Sequence, residues 1–348
     1  MRSTAHEPRL RGAPMQRRRL RTGLVSAGVL SILLAGLVFA IPDLRTVTHL
    51  LAHAQWGWVA LAAGLELASC LGYVLAFQAI FGDLPRRFAA LVAAAEQAFG
   101  AVVPIGGAGG IAAGGWLLAR RGLPMRSIAE RSAVLFLLTS ATNVVALLIA
   151  AAGLAVGLFA GPDDLLRTVL PAVVAVSVLV IFVALARRVT RVGALRPTPT
   201  RPDALRALAD TSAQTLRLIA RPGWRVGIGA PAFLLCDVSV LWLAIHALGY
   251  SVPAAPLLVA YLLGYLANVI PIPGGLGVLD GGLAGALIAY HVPAAAALGG
   301  VLIYHALALW IPTVSGTLAF IVAQRELVIA RERRAAVRSA RTLPPTDA

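Results

Sequence analysis

The sequence predicts an all-α polytopic membrane protein, an inverted repeat with about six spanning helices and two re-entrant helical hairpins. Three observations carry this expectation. Hydrophobic residues make up 59% of the 348-residue chain and charged residues only 13%, with a mean hydropathy of +0.84. A soluble domain cannot hide that much apolar surface. Apolar stretches recur at about the 20-residue length that a bilayer crossing needs. Two of them are broken by proline and glycine, at Val103–Gly110 and at Asn268–Gly282. Such breaks survive at bilayer depth only where protein or a polar cavity encloses them.

Residues 1–22 carry seven arginines and no apolar run, the composition of a disordered, basic cytoplasmic arm. The apolar stretch Gly23–Ile41 follows, and its 19 residues suit an uncleaved anchor better than a signal peptide. A second span, Trp56–Phe81, opens on Trp56 and Trp58, residue types that favour the membrane interface. Phe88–Ala119 is interrupted at its middle, leaving two arms of about 15 apolar residues, too short for a full crossing. Spans over Ser132–Ala152 and Thr168–Ala186 come next, joined by a Gly-Pro-Asp-Asp turn. Residues 187–225 are polar and carry nine arginines, with a short amphipathic surface helix expected over Asp203–Ile219. A span over Val226–Leu248, the broken segment Ala255–Tyr290 and a last span over Ala297–Ala323 complete the membrane region. The tail 324–348 is expected to be basic, cytoplasmic and finally disordered.

The transmembrane domain thus covers 23–323, with repeat one at about 56–186 and repeat two at about 226–323. Setting Gly106-Gly107 on Gly274-Gly275 brings Gly109 onto Gly277 and Gly114 onto Gly282, with Pro124 one residue from Pro293. Glycine-interrupted segments at matching places in two halves point to a transporter-like repeat. Arginine placement supplies the orientation. With the amino terminus inside, 28 of the 30 arginines fall on the cytoplasmic side, and only Arg45 and Arg167 fall outside. The first hairpin then enters from the cytoplasm and the second from outside, so the repeats are inverted. If the hairpin arms cross fully, the count rises to ten, and both termini stay inside.

The +15 net charge is entirely arginine on the basic side and follows topology, so no nucleic-acid partner is expected. Cys70 and Cys236 lie in apolar segments and read as core residues. Ionisable groups at bilayer depth are costly and usually face a cavity or a partner. Four carboxylates qualify: Glu66 and Asp237 in the spans before each hairpin, Glu96 in the first hairpin, and Asp280 after the glycine turn of the second. His305 and His246 are the basic candidates at depth, and Tyr261, Tyr265 and Asn268 add hydrogen-bonding capacity. Half-helices starting after Gly107 and Gly275 would aim unsatisfied N–H groups at the membrane centre, where a phosphate oxygen could be received. Gly274 and Gly275 are expected to need backbone freedom or a close neighbouring backbone. The plainer reading of each acid is a hydrogen bond tying a hairpin to a neighbouring helix, and Trp116, Trp242 and Trp310 read as packing. No catalytic triad, metal-spaced cluster, P-loop or dinucleotide fingerprint is present, so neither catalysis nor a metal or other cofactor is expected.

The run Pro271-Ile-Pro-Gly-Gly-Leu-Gly-Val-Leu-Asp280, followed by Val301-Leu-Ile-Tyr-His305 and Trp310-Ile-Pro312, resembles the lysylphosphatidylglycerol synthase transmembrane-region family. The Val103-Pro104-Ile-Gly-Gly run and Arg131 resemble that family's first repeat, and the resemblance covers about 23–323. It implies a flippase-like protein of the bacterial plasma membrane that moves a phospholipid or lipid-linked headgroup between leaflets. Many relatives carry Glu in the place of Asp280 and Arg in the place of His305, which implies an ion pair that here would join Asp to His. Bifunctional relatives add a soluble synthase domain, and the 25 residues after Ala323 leave no room for one. The alternative is a non-transporting membrane partner of a separately encoded lipid- or glycan-modifying enzyme.

Overall fold

The structure, a computed structural model, describes residues 42–102, 108–162, 164–193, 224–265 and 278–341. The expected anchor over 23–41, the first glycine break at 103–107, the surface helix over 203–219 and the residues Asn268, Gly274 and Gly275 lie outside the described residues. Those residues form ten helices and no strand. Helix α1, Pro42–Ala52, belongs to a first compact unit that ends at Ala52. Its proline occupies the first helical position, where the missing N–H would have had no partner anyway.

The second unit, 53–348, holds the other nine. They are α2 (Trp56–Ile80), α3 (Arg86–Val102), α4 (Ala108–Arg121), α5 (Met125–Ala155), α6 (Leu165–Gly193), α7 (Trp224–Ala247), α8 (Ala254–Tyr265), α9 (Val278–Ala289) and α10 (Ala294–Arg341). Among the described residues, four stretches are long and apolar enough to cross a bilayer: Trp56–Ile80, Met125–Ala155, Gly227–Ala247 and Ala294–Ala330. Helix α6 runs for 29 residues, with Leu165–Ser177 as its described apolar part. The arms α3, α4, α8 and α9 have 17, 14, 12 and 12 residues.

Leu71, Phe136, Val173, Trp310 and Leu318 face outward on four different helices. A water-soluble bundle would present polar residues there, so the outer surface is built for lipid. Inside, one buried cluster centres on Leu241, Ile245, Leu257, Leu283 and Leu287, and another on Phe77, Phe81, Phe88, Leu117 and Leu118.

Small residues decide which helices meet. Helix α2 packs along α7, where Gly72 lies so close that a Cβ on it would stand 2.6 Å from the Phe233 amide nitrogen. Gly229 reciprocates, since its Cβ would stand 2.7 Å from the Ala76 nitrogen. The first arm of each hairpin packs on the long helix that closes the other half, α3 on α10 and α8 on α5. Helix starts at 86 and 125 recur at 254 and 294, displacements of 168 and 169 residues. The turns Gly122-Leu123-Pro124 and His291-Val292-Pro293 match as well. Each places its first residue in the left-handed region, at φ +105° and +66°. Each also sends the next N–H back five residues, Leu123 to the Leu118 carbonyl at 3.2 Å and Val292 to the Leu287 carbonyl at 3.0 Å. This is the Schellman closure of a helix.

The end of α10 departs from expectation. The helix continues unbroken from Ala294 to Arg341, through much of the tail expected to be disordered. Ala, Arg and Glu in that stretch are good helix formers, and extension of an existing packed helix needs no new nucleus. Glu326 pairs with Arg87 of α3 at 3.1 Å, and Leu327 is buried.

Candidate functional site

Three polar groupings occupy the interior, and each uses one or two of the expected acids. On α3, Glu96 is buried and its Oε2 accepts a hydrogen bond from the Tyr73 hydroxyl of α2 at 2.9 Å. Its Oε1 has no partner. The second arm of the hairpin makes room for it at Gly114, where a Cβ would lie 2.5 Å from Glu96 Cδ. Gln97, next along α3, donates to the Cys70 carbonyl at 3.3 Å. These bonds tie the first hairpin to α2, as the plainer reading of Glu96 expects.

The second grouping spans the seam between α2 and α7. Asp237 of α7 accepts from the Tyr261 hydroxyl of α8, and from the Tyr304 hydroxyl of α10 at 3.1 and 3.2 Å. Tyr304 also exchanges a hydrogen bond with Tyr265 at 2.7 Å and approaches Tyr261 at 3.3 Å. Two tyrosines, one from each of two helices, therefore bond one carboxylate, and Tyr265 joins them through Tyr304. Glu66 of α2, only 4% exposed, is near enough to Asp237 for their charges to act on one another. The sequence separates these two acids by 171 positions, and the packing of α2 on α7 brings them together. Beside them Ser69 donates to the Phe233 carbonyl at 2.8 Å across the same seam.

The third grouping is the expected pair. His305 Nδ1 of α10 stands 3.0 Å from Asp280 Oδ1 in the first turn of α9. Both side chains are about one-quarter exposed. His305 Nε2 is buried and has no partner. The carboxylate therefore fixes the ring through one nitrogen and leaves the other presented to whatever enters.

Tyr73 and Tyr304 escaped the sequence reading, whereas Tyr261 and Tyr265 did not. Tyr73 lies seven residues beyond Glu66 on one helix face, and Tyr304 immediately precedes His305. Both positions were available as signals. His246 has a local role, its Nδ1 3.0 Å from the Trp242 carbonyl and its ring 3.9 Å from that of Trp242. Trp242 itself donates to the Val252 carbonyl at 2.9 Å, a packing role. Trp310, at 64% exposure, lies on the outer surface.

At one rim, Arg131 at the start of α5 pairs with Asp83 of the α2–α3 turn at 2.5 Å and covers the Phe81 ring. That hydrogen bond holds the Asp83 carboxyl below its usual range. At the other rim Arg167 contacts His291 and pairs with Asp164 at 3.1 Å, while Tyr290 donates to the Arg167 carbonyl at 2.6 Å. This set joins the start of α6 to the end of α9. Among the described residues no group of three His, Cys, Asp or Glu side chains is arranged to hold a metal ion.

No curated protein matches the chain in sequence. The family model described as the lysylphosphatidylglycerol synthase TM region matches residues 24–316, which takes in all three interior groupings. The apolar outer surface and the buried acids thus stand in a known membrane domain: this chain belongs to the lysylphosphatidylglycerol synthase TM-region family.

Proposed function

We propose that this protein moves a phospholipid or lipid-linked headgroup between the leaflets of a bacterial plasma membrane. In this reading it has no synthase activity of its own, and both termini are cytoplasmic. The observation that carries it is the Asp280–His305 pair with its unpartnered Nε2. An imidazolium steadied by a carboxylate offers one N–H to a phosphate oxygen, and the first turn of α9 adds backbone donors beside it. A headgroup that left water would find here the hydrogen bonds it gave up. Lipid tails would remain against the apolar outer helices.

The same reading makes the two halves inverted repeats and the short arms re-entrant. It is supported by the recurrence of helix starts, by the matched turns, and by the exchange in which each hairpin packs on the other half's closing helix. A pair of halves related in that way can present one central site to either leaflet in turn.

The test is leaflet exchange of a panel of fluorescent phospholipids in proteoliposomes. The protein should accelerate exchange of at least one headgroup class. His305→Ala should abolish that acceleration and His305→Arg should retain it. Exchange no faster than in protein-free vesicles for every headgroup, with a lipid- or glycan-modifying enzyme co-purifying, would establish the partner role instead.

A further inference from the structure

The Glu66–Asp237 pair is distinct from the headgroup site, and its chemistry suits a smaller ligand. The two acids lie on the two helices of the α2–α7 seam, near enough for the Asp237 charge to act on Glu66. Asp237 is surrounded by donors, taking hydroxyls from Tyr261 and Tyr304. Glu66 is buried to 4% exposure and its Oε2 has no hydrogen-bond partner. The other titratable groups around it carry no positive charge. They are Cys70 on α2, Cys236 on α7, Tyr261 and Tyr265 on α8, and Tyr304 on α10. Helix α3 presents Glu96, which is occupied by Tyr73, and on α5 the charged Glu130 and Arg131 lie at its start.

Two neighbouring carboxylates in such a place cannot both stay ionised. Tyrosine donors stabilise an anion, so Asp237 keeps the charge. Glu66, lacking a donor, takes up the positive species. A metal ion would need several free oxygen ligands, and Asp237 has already committed both oxygens. We infer that Glu66 and Asp237 form a proton-binding site, with the proton carried on Glu66. The hydroxyl chain from Asp237 through Tyr304 to Tyr265 reaches the end of α8. It links the site to the second hairpin. The inference rests on the proposed transport role only in making the proton the coupling ion; the binding site stands independently of it.

Dicyclohexylcarbodiimide modifies protonated carboxyls in apolar surroundings and can be applied to the intact wild-type protein in liposomes, with peptide mass spectrometry as readout. Glu66 should be modified, with modification falling severalfold as pH rises and unchanged when sodium replaces choline. Glu66→Asp should restore modification at position 66, and Glu66→Gln should abolish it there while Glu96 reacts as before. No modification of Glu66 at any pH, or protection by sodium in place of alkali, would overturn the proton site. Imposing a proton gradient on transporting vesicles separates the two claims. Modified Glu66 without lipid movement would remove the transport reading alone, and gradient-insensitive lipid movement with unreactive Glu66 would remove this one alone.

Discussion

Replacing Gly72 with alanine tests the seam on which both halves depend. The added Cβ would meet the Phe233 nitrogen at 2.6 Å, the Gly229 oxygen at 2.9 Å and the Ala232 carbonyl carbon at 3.1 Å. All three are backbone atoms of α7, so no side chain can swing aside. Ordinary contact begins near 3.4 Å, and the helices must part locally by about 0.8 Å. Overpacking of this kind costs about 1–3 kcal/mol. Exchange of glycine for alanine within a helix returns up to about 1 kcal/mol, which leaves a net loss of about 0–2 kcal/mol. Gly64 supplies the internal control, because it lies on the same helix with nothing within 4 Å of its Cβ position. Gly64→Ala should raise stability by up to about 1 kcal/mol. The two variants should therefore differ in the unfolding transition in detergent, with Gly72→Ala the less stable by about 1–3 kcal/mol. Gly229→Ala should behave like Gly72→Ala. Equal transitions for Gly72→Ala and Gly64→Ala would refute the close α2–α7 approach, and with it the juxtaposition of Glu66 and Asp237.

Asp280→Asn and His305→Ala should be non-additive in a double-mutant cycle on stability, with a coupling of about 0.5–3 kcal/mol; simple additivity would show that the pair at 3.0 Å contributes nothing. Asp83, held below its ordinary value of 3.8 by the Arg131 hydrogen bond, stabilises the fold above that pH and loses the contribution as pH falls through its lowered folded-state value. Because Asp83 is 70% exposed, Asp83→Asn should cost no more than about 1 kcal/mol near neutrality, and unfolding midpoints of wild type and variant should converge below about pH 3. After replacement of Cys70 and Cys236, a cysteine at Arg45 should react with an impermeant maleimide from outside and one at Arg201 only from inside; the reverse pattern would invert the topology.

Much of this architecture was legible because the bilayer imposes strong rules. Length and composition alone mark α2, α5, α7 and α10 as stretches that can cross a bilayer. The four acids stood out because charge is rare in such segments. Pairing was harder to read. Asp280 and His305 could be matched because both depths follow from counting residues from one face. Glu66 and Asp237 sit at the same depth in separate halves, and only the approach at Gly72 and Gly229 says which helices touch. A glycine has no chemistry to announce its partner. The tail was misjudged for a related reason, since its many arginines suggested disorder while its alanines and the Arg87–Glu326 contact favour continued helix.

Pro312 divides α10 mechanically. A proline withdraws one rung from the helical ladder and crowds the preceding turn, so bending is cheapest there. Below it the helix is clamped to α3, by the near-touching of Gly316 and the Ala94 carbonyl and by Glu326 on Arg87. Above it lie Tyr304 and His305, attached to α7, α8 and α9 through Asp237, Tyr261, Tyr265 and Asp280. One continuous helix is thus anchored in the first half below Pro312 and fastened to the second half above it. A bend at Pro312 would carry the two polar centres of the upper segment together as a unit.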